Sequence, residues 1–82
     1  MSQSDEASVM EPLDRITFNT DIMGGRACIR GMRITVATII GQIAGGASHE
    51  EILADYPVLE PEDIRQALAY AAYLARDQVV PA

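Results

Sequence analysis

The sequence predicts a mainly α-helical domain that opens with a short β-hairpin and continues as three helices, and three observations carry that reading. The apolar half of the composition is Ala, Ile, Leu and Val with no Trp and a single Phe, which suits short packed helices better than a sandwich or barrel. Period-2 alternation is confined to the first part of the chain, around Arg15-Ile16-Thr17-Phe18. From Thr35 onward the apolar spacing becomes helical. At 82 residues the chain makes one domain near the lower limit for a self-sufficient core, so a homodimer is expected.

Arg15 to Phe18 reads as a strand, Asn19-Thr20-Asp21 as a turn, and Gly24-Gly25 as a tight reversal. Ala27 to Ile29 then pairs back as a second strand. Extended alternation places Arg26, Cys28 and Arg30 on one face and Ala27 and Ile29 on the other. One face would pack while the other presents guanidinium groups.

Thr35 is the expected N-cap of the first helix, which carries Val36, Ile39, Ile40, Ile43 and Ala44 and ends at Gly45-Gly46. Ser48-His49-Glu50-Glu51 has capping-box form. The helix it opens turns Ile52 and Leu53 inward and stops before Pro57, which restricts Tyr56. Pro61 suits the first turn of the third helix, with Glu62 and Asp63 at its positive end. Ile64, Ala67, Leu68, Ala71, Leu74 and Ala75 form an apolar stripe along it, and the helix ends near Asp77. The short link between the second and third helices is compatible with a helix-turn-helix. Residues 15–78 thus read as one domain, with a β-element at 15–34 and helices at 35–78. Residues 1–14, which hold Asp5, Glu6, Glu11 and Asp14 and no base, read as a disordered acidic arm, and 79–82 as a frayed tail.

Charge is distributed unevenly. The net charge is −6, from 12 acids against six arginines and no lysine. Three of those arginines, Arg26, Arg30 and Arg33, fall within an acid-free run from Gly24 to Ile34. Such a run marks the seat of an anionic partner or of an acidic surface of the same protein, with Glu50, Asp55 or Glu62 as internal candidates. The acidic balance disfavours strong non-specific nucleic-acid binding and favours a basic protein partner.

No catalytic constellation is present in the sequence. His49 is the only histidine and has no second His or Cys at metal spacing, so it reads as a surface residue. Cys28, also single, reads as a small buried apolar residue. Glu50/Glu51 and Glu62/Asp63 are explained by helix-start electrostatics, and Gly24-Gly25 lacks the Lys-Ser/Thr of a phosphate loop. The expectation is a protein that is not an enzyme and has no cofactor or metal. Nothing at the N-terminus resembles a signal peptide and no apolar run approaches the roughly 20 residues that cross a bilayer, so a cytoplasmic location without membrane contact is expected.

On the third helix Gln66, Tyr70, Tyr73 and Asp77 line one side, flanked by Arg65 and Arg76. Two tyrosines one turn apart on a non-core face read as an interface, with packing onto the N-terminal strands as the alternative. The first turn, Glu60-Pro61-Glu62-Asp63, would repel a DNA backbone. DNA contact then has to come from Arg65, Gln66 and the arginine hairpin, or from a bound partner.

The run Gly25-Arg26-Ala27-Cys28-Ile29-Arg30-Gly31-Met32-Arg33-Ile34-Thr35-Val36 resembles the signature G-K-P-x-I-R-G-T-R-I-x-V of the "domain of unknown function 433" family of small bacterial and archaeal proteins. The resemblance continues through Gly46-Ala47-Ser48-His49-Glu50-Glu51-Ile52-Leu53, Tyr56-Pro57, and Glu62-Asp63-Ile64-Arg65-Gln66-Ala67-Leu68-Ala69-Tyr70-Ala71. It covers roughly residues 16 to 77 in register. Departures are modest: Arg26 stands where Lys is common, Ala27 where Pro is, Met32 where Thr is, and Glu60 where an uncharged polar residue is frequent.

The resemblance implies a homeodomain-like three-helix fold after a β-element, often dimeric. It also implies the role of antitoxin in a toxin–antitoxin pair, whose usual partner is a PIN-like nuclease toxin. On that footing Arg26, Arg30, Arg33, Arg65 and Gln66 are the candidates for operator DNA. The acidic arm with Asp5 and Glu6, and the face with Tyr70 and Tyr73, are the candidates for toxin contact. A second expectation, from another class, is a dimeric protein-interaction or scaffold module with no DNA role.

Overall fold

The computed structural model describes residues 12–76. Asp5 and Glu6, with the rest of the arm as far as residue 11, and the tail at 79–82 lie outside the described residues. Strand β1 (Ile16–Thr17) pairs antiparallel with β2 (Cys28–Ile29) in the register Ile16↔Ile29 and Thr17↔Cys28. Both strands are shorter than the alternation suggests: Phe18, 61% exposed, already lies beyond β1. Between them a 3₁₀ turn over Met23–Gly25 reverses the chain. A second hairpin follows at once. Ile29 N–H donates to Ile34 O at 3.0 Å, Cys28 bridges Thr35, and Val36 N–H donates to Ala27 O at 2.9 Å.

The expected split of the second strand into a packed and a cationic face does not hold. Cys28 and Ile29 are both buried, at 2% and 0% exposure. Arg30 then leaves extended geometry for the left-handed region, with φ 49°, and Gly31 follows at φ 71°. Met32 N–H donates to Ile29 O at 2.8 Å across this pair. Positive φ at both central residues is the backbone of a type I′ turn, a conformation natural to glycine and costly for arginine. The alternation therefore stops at Ile29 and the Arg30 side chain is redirected.

Helix α1 (Val36–Ala44) begins at its expected cap, where Thr35 Oγ1 accepts from Thr38 N–H at 3.0 Å. It gives way at Gly45, and Gly46 takes φ 103°, a backbone available to glycine at little cost. Helix α2 (His49–Asp55) has both halves of the capping box: Glu51 N–H donates to Ser48 Oγ at 3.1 Å and Ser48 N–H to Glu51 Oε1 at 2.8 Å. Helix α3 (Pro61–Arg76) is the longest element. The core takes residues from nearly every element: Ile29, Val36 and Ile39, Ile52, Leu59, and Ile64 with Ala67. A short hairpin followed by three helices, the last two closely linked, is the architecture the sequence predicts.

The apolar stripe of α3 is buried only along its first half. Ile64 and Ala67 are fully enclosed, Leu68 and Ala71 half-buried, Leu74 is 44% exposed and Ala75 lies in the open. The second half of the helix thus reaches past the core.

Candidate interaction surface

The arginine-rich run and the start of α3 meet at one buried carboxylate. Asp63 has no exposed surface. Arg30 grips it with two bonds, Nε to Oδ1 at 3.1 Å and Nη2 to Oδ2 at 2.8 Å, and sends Nη2 also to Val58 O at 2.7 Å. Arg15 Nη1 donates to Asp63 Oδ1 at 3.0 Å and to Glu60 Oε1 at 2.6 Å. Glu60 N–H completes the set, donating to Asp63 Oδ2 at 2.8 Å, as the acidic half of a capping box does. Burial pushes the Asp63 carboxyl up. The hydrogen bonds from Arg30, the Glu60 backbone and Arg15 outweigh that and hold it down at about 2. Hydrogen bonds to acids also raise both arginines above their ordinary value, Arg15 through Glu60 and Asp63 and Arg30 through Asp63.

This cluster explains the strained turn. The backbone cost of a left-handed arginine is of order 1–3 kcal/mol, and a charge-assisted bidentate pair to a buried acid is strong enough to offset it. Thr17 secures the same loop, its Oγ1 accepting Gly31 N–H at 2.8 Å. Arg30 thus pairs internally, with Asp63 rather than with Glu50, Asp55 or Glu62.

Two other candidates are engaged by neighbouring side chains. Gln66 does not line an outer face: it is 4% exposed. Its Oε1 accepts Arg15 N–H at 2.9 Å, and its Nε2 donates to Asp14 Oδ1 and to Glu62 Oε2, each at 3.0 Å. The chain entering β1 crosses α3 at that point, which the spacing of α3 alone does not disclose. Arg65 is forked onto Glu62, Nε to Oε1 at 2.9 Å and Nη2 to Oε2 at 2.7 Å. That fork, helped by Gln66, lowers the Glu62 carboxyl to about 2. Arg26 and Arg33 are exposed and make no ion pair among the described residues.

The two tyrosines part company. Tyr70 is half-buried against Phe18, edge to face with centroids 6.0 Å apart, so it packs on the segment after β1. Tyr73 lies under the Arg76 guanidinium, 5.7 Å from its ring centre, a cation–π arrangement in the last described turn of the helix. His49 is exposed and Cys28 is buried.

A groove of about 400 Å³ runs between α1 and the second half of α3. Val36, Ala37 and Ile40 form one wall, Tyr70, Ala71 and Leu74 the other, and Arg26 with Ala27 closes one side. Sequence reasoning places Leu74 in the core stripe and misses this opening. Asp63 as the partner of two arginines is missed as well, because its acidic setting at a helix start looks sufficient explanation for it.

Residues 16–71 match the family described as "Protein of unknown function (DUF433)". The chain belongs to the DUF433 family. The chain is also 39% identical over 56 residues to an uncharacterised protein of Sinorhizobium fredii, a match covering 68% of this chain and 25% of that one. This chain therefore spans about a quarter of that relative's length. A crystal structure of a DUF433 member from Anabaena variabilis superposes with a TM-score of 0.73 at 29% identity, covering 93% of this chain and 73% of the other. The hairpin and three helices of this DUF433 protein are thus shared with a solved member of its family. No described helix is long and apolar enough to cross a membrane.

Proposed function

We propose that this DUF433 protein is a non-enzymatic partner-binding module that acts as the antitoxin of a toxin–antitoxin pair, with a PIN-like nuclease toxin as its partner. The observation that carries the partner-binding part is the way its apolar surface continues beyond the core. The second half of α3 exposes Leu74, borders an open groove, and ends on the Tyr73–Arg76 pair. Apolar and aromatic surface rimmed by arginine is the composition of a protein interface.

Few cations are left for DNA contact. Arg15, Arg30 and Arg65 are held by acids, and α3 carries Glu62 and Asp63 in its first turn, directly after Glu60. For the protein without its toxin, phosphate contact falls to Arg26 and Arg33; in the complex Arg33 and the toxin's own cations supply it. Two cations neutralise two phosphates, which supports only shallow salt dependence for the protein alone.

The test is co-expression of the protein with PIN-like nucleases from its own genome. The expected result is a stable complex without ribonuclease activity, and operator retardation that weakens when Arg26 and Arg33 are both replaced by Ala. Nuclease activity unchanged by an excess of folded protein overturns the antitoxin reading. A complex that forms but never retards DNA leaves the interaction module without a DNA role.

A further inference from the structure

The α1–α3 groove carries more than a general capacity for contact. Its walls are two matched helical rows, Val36, Ala37 and Ile40 against Tyr70, Ala71 and Leu74, each spanning residues i, i+1 and i+4. Four residues of helix rise about 6 Å, so the opening is about one turn long and takes one or two side chains rather than a whole helix face. Its lining is apolar apart from Thr35, the Tyr70 hydroxyl and Arg26. Arg26 has no ion pair among the described residues, and none of the described acids lines the groove.

We propose that this groove docks a segment of a partner protein that presents an aliphatic side chain beside a carboxylate, the side chain seated between α1 and α3 and the carboxylate meeting Arg26. This rests on the partner-binding reading above and specifies its site. Charge selects the occupant. In an isologous contact centred on the groove, the same patch of each copy faces the other. Two copies would then set Arg26 against Arg26 with no acid from either groove to separate them, which is unfavourable. A foreign segment carrying Asp or Glu satisfies the arginine and covers the apolar floor together, with one anchor side chain and one charge.

A display library of 12-residue helical peptides, selected on the full-length protein, tests this. The expected result is enrichment of Leu, Ile or Met one turn from Asp or Glu. The selected peptide, synthesised and titrated, should bind Arg26→Ala at least tenfold more weakly and His49→Ala unchanged. Leu74→Arg fills the groove and should abolish binding. Ala37→Glu, at an exposed site on α1, keeps the fold and should do the same by repelling the carboxylate.

Peptides that lack an acid, that bind Arg26→Ala equally well, or that fail to enrich at all on the folded protein overturn the proposal. Two further outcomes overturn it by naming another occupant. A wild-type dimer that Ala37→Glu dissociates assigns the groove to a second copy. Peptide affinity that rises tenfold on deletion of residues 1–11 assigns it to the chain's own N-terminus. Toxin neutralisation that survives Leu74→Arg and Ala37→Glu removes the groove from partner docking while leaving the antitoxin reading intact. Selected peptides that obey the pattern without any neutralisation by the protein keep the groove and remove the antitoxin.

Discussion

Asp63 is the residue on which most of the molecule's charge logic converges. It is fully buried and receives two arginines and a backbone N–H. Removing the acid leaves Arg15 with Glu60 alone and Arg30 with Val58 O alone, and because both guanidinium groups keep some access to water the loss falls below the ~3–5 kcal/mol of a fully buried pair. Asp63→Ala is therefore expected to lower stability by about 2 kcal/mol in urea unfolding, while Arg33→Ala, at an exposed position, stays within about 0.5 kcal/mol. The same carboxylate sets an acid limit. Its folded value, about 2, lies below its ordinary 3.8, so protons bind the unfolded chain more readily. Its contribution is complete above about pH 5, amounts to about 2 kcal/mol, and is lost as the pH falls toward 2. Glu62 is shifted in the same direction and adds to the same limb. Unfolding midpoints measured from pH 6 to pH 2 should fall over that window, and less steeply in Asp63→Asn.

At the scale of the elements, what the sequence discloses is what its neighbours within four residues decide. Thr35 and Ser48 each cap a helix by bonding three residues ahead, a relation visible in the spacing itself. Ser48→Ala should cost about 1 kcal/mol by thermal unfolding, with Glu51 losing its counterpart in the box. The Arg30–Gly31 turn is different. Arg30 finds Asp63 at a separation of 33 residues and Arg15 finds it at 48, and no local pattern marks such pairs. Gln66 is hidden for the same reason, since the chain that covers it enters 51 residues earlier. Strand alternation also fails as a guide where a strand has two residues: both faces of β2 are covered, and a left-handed residue follows. The exposed end of α3 escapes a reading by period because periodicity marks an apolar stripe without saying how much of it the other helices can reach.

For the molecule as a whole, a small core makes each central side chain count. Ile39 and Ile52 are completely enclosed, and truncating an Ile of this kind to Ala costs about 2–5 kcal/mol. Against a total stability on the order of 5–15 kcal/mol, with small domains toward the lower end, Ile39→Ala is expected to leave the chain largely unfolded at 37 °C, as circular dichroism would register. Association adds stability by mass action. A partner seated over Leu74 and the α1–α3 groove should therefore raise the unfolding midpoint, and by more in Ile39→Ala material that is otherwise marginal.

The two arginines that neutralise Asp63 both come from the chain ahead of α1. This bears on how far the molecule can be dissected. A fragment cut to the three helices would keep every cap and most of the core, and it looks on paper like an autonomous bundle. It would also keep a carboxylate at the mouth of α3 whose guanidinium partners had been discarded, beside the cavity vacated by Ile29. The first 20 or so of the described residues therefore behave as an intramolecular counter-ion. They should be able to restore order when supplied in trans as a synthetic peptide spanning 15–34, provided Arg30 is present in it.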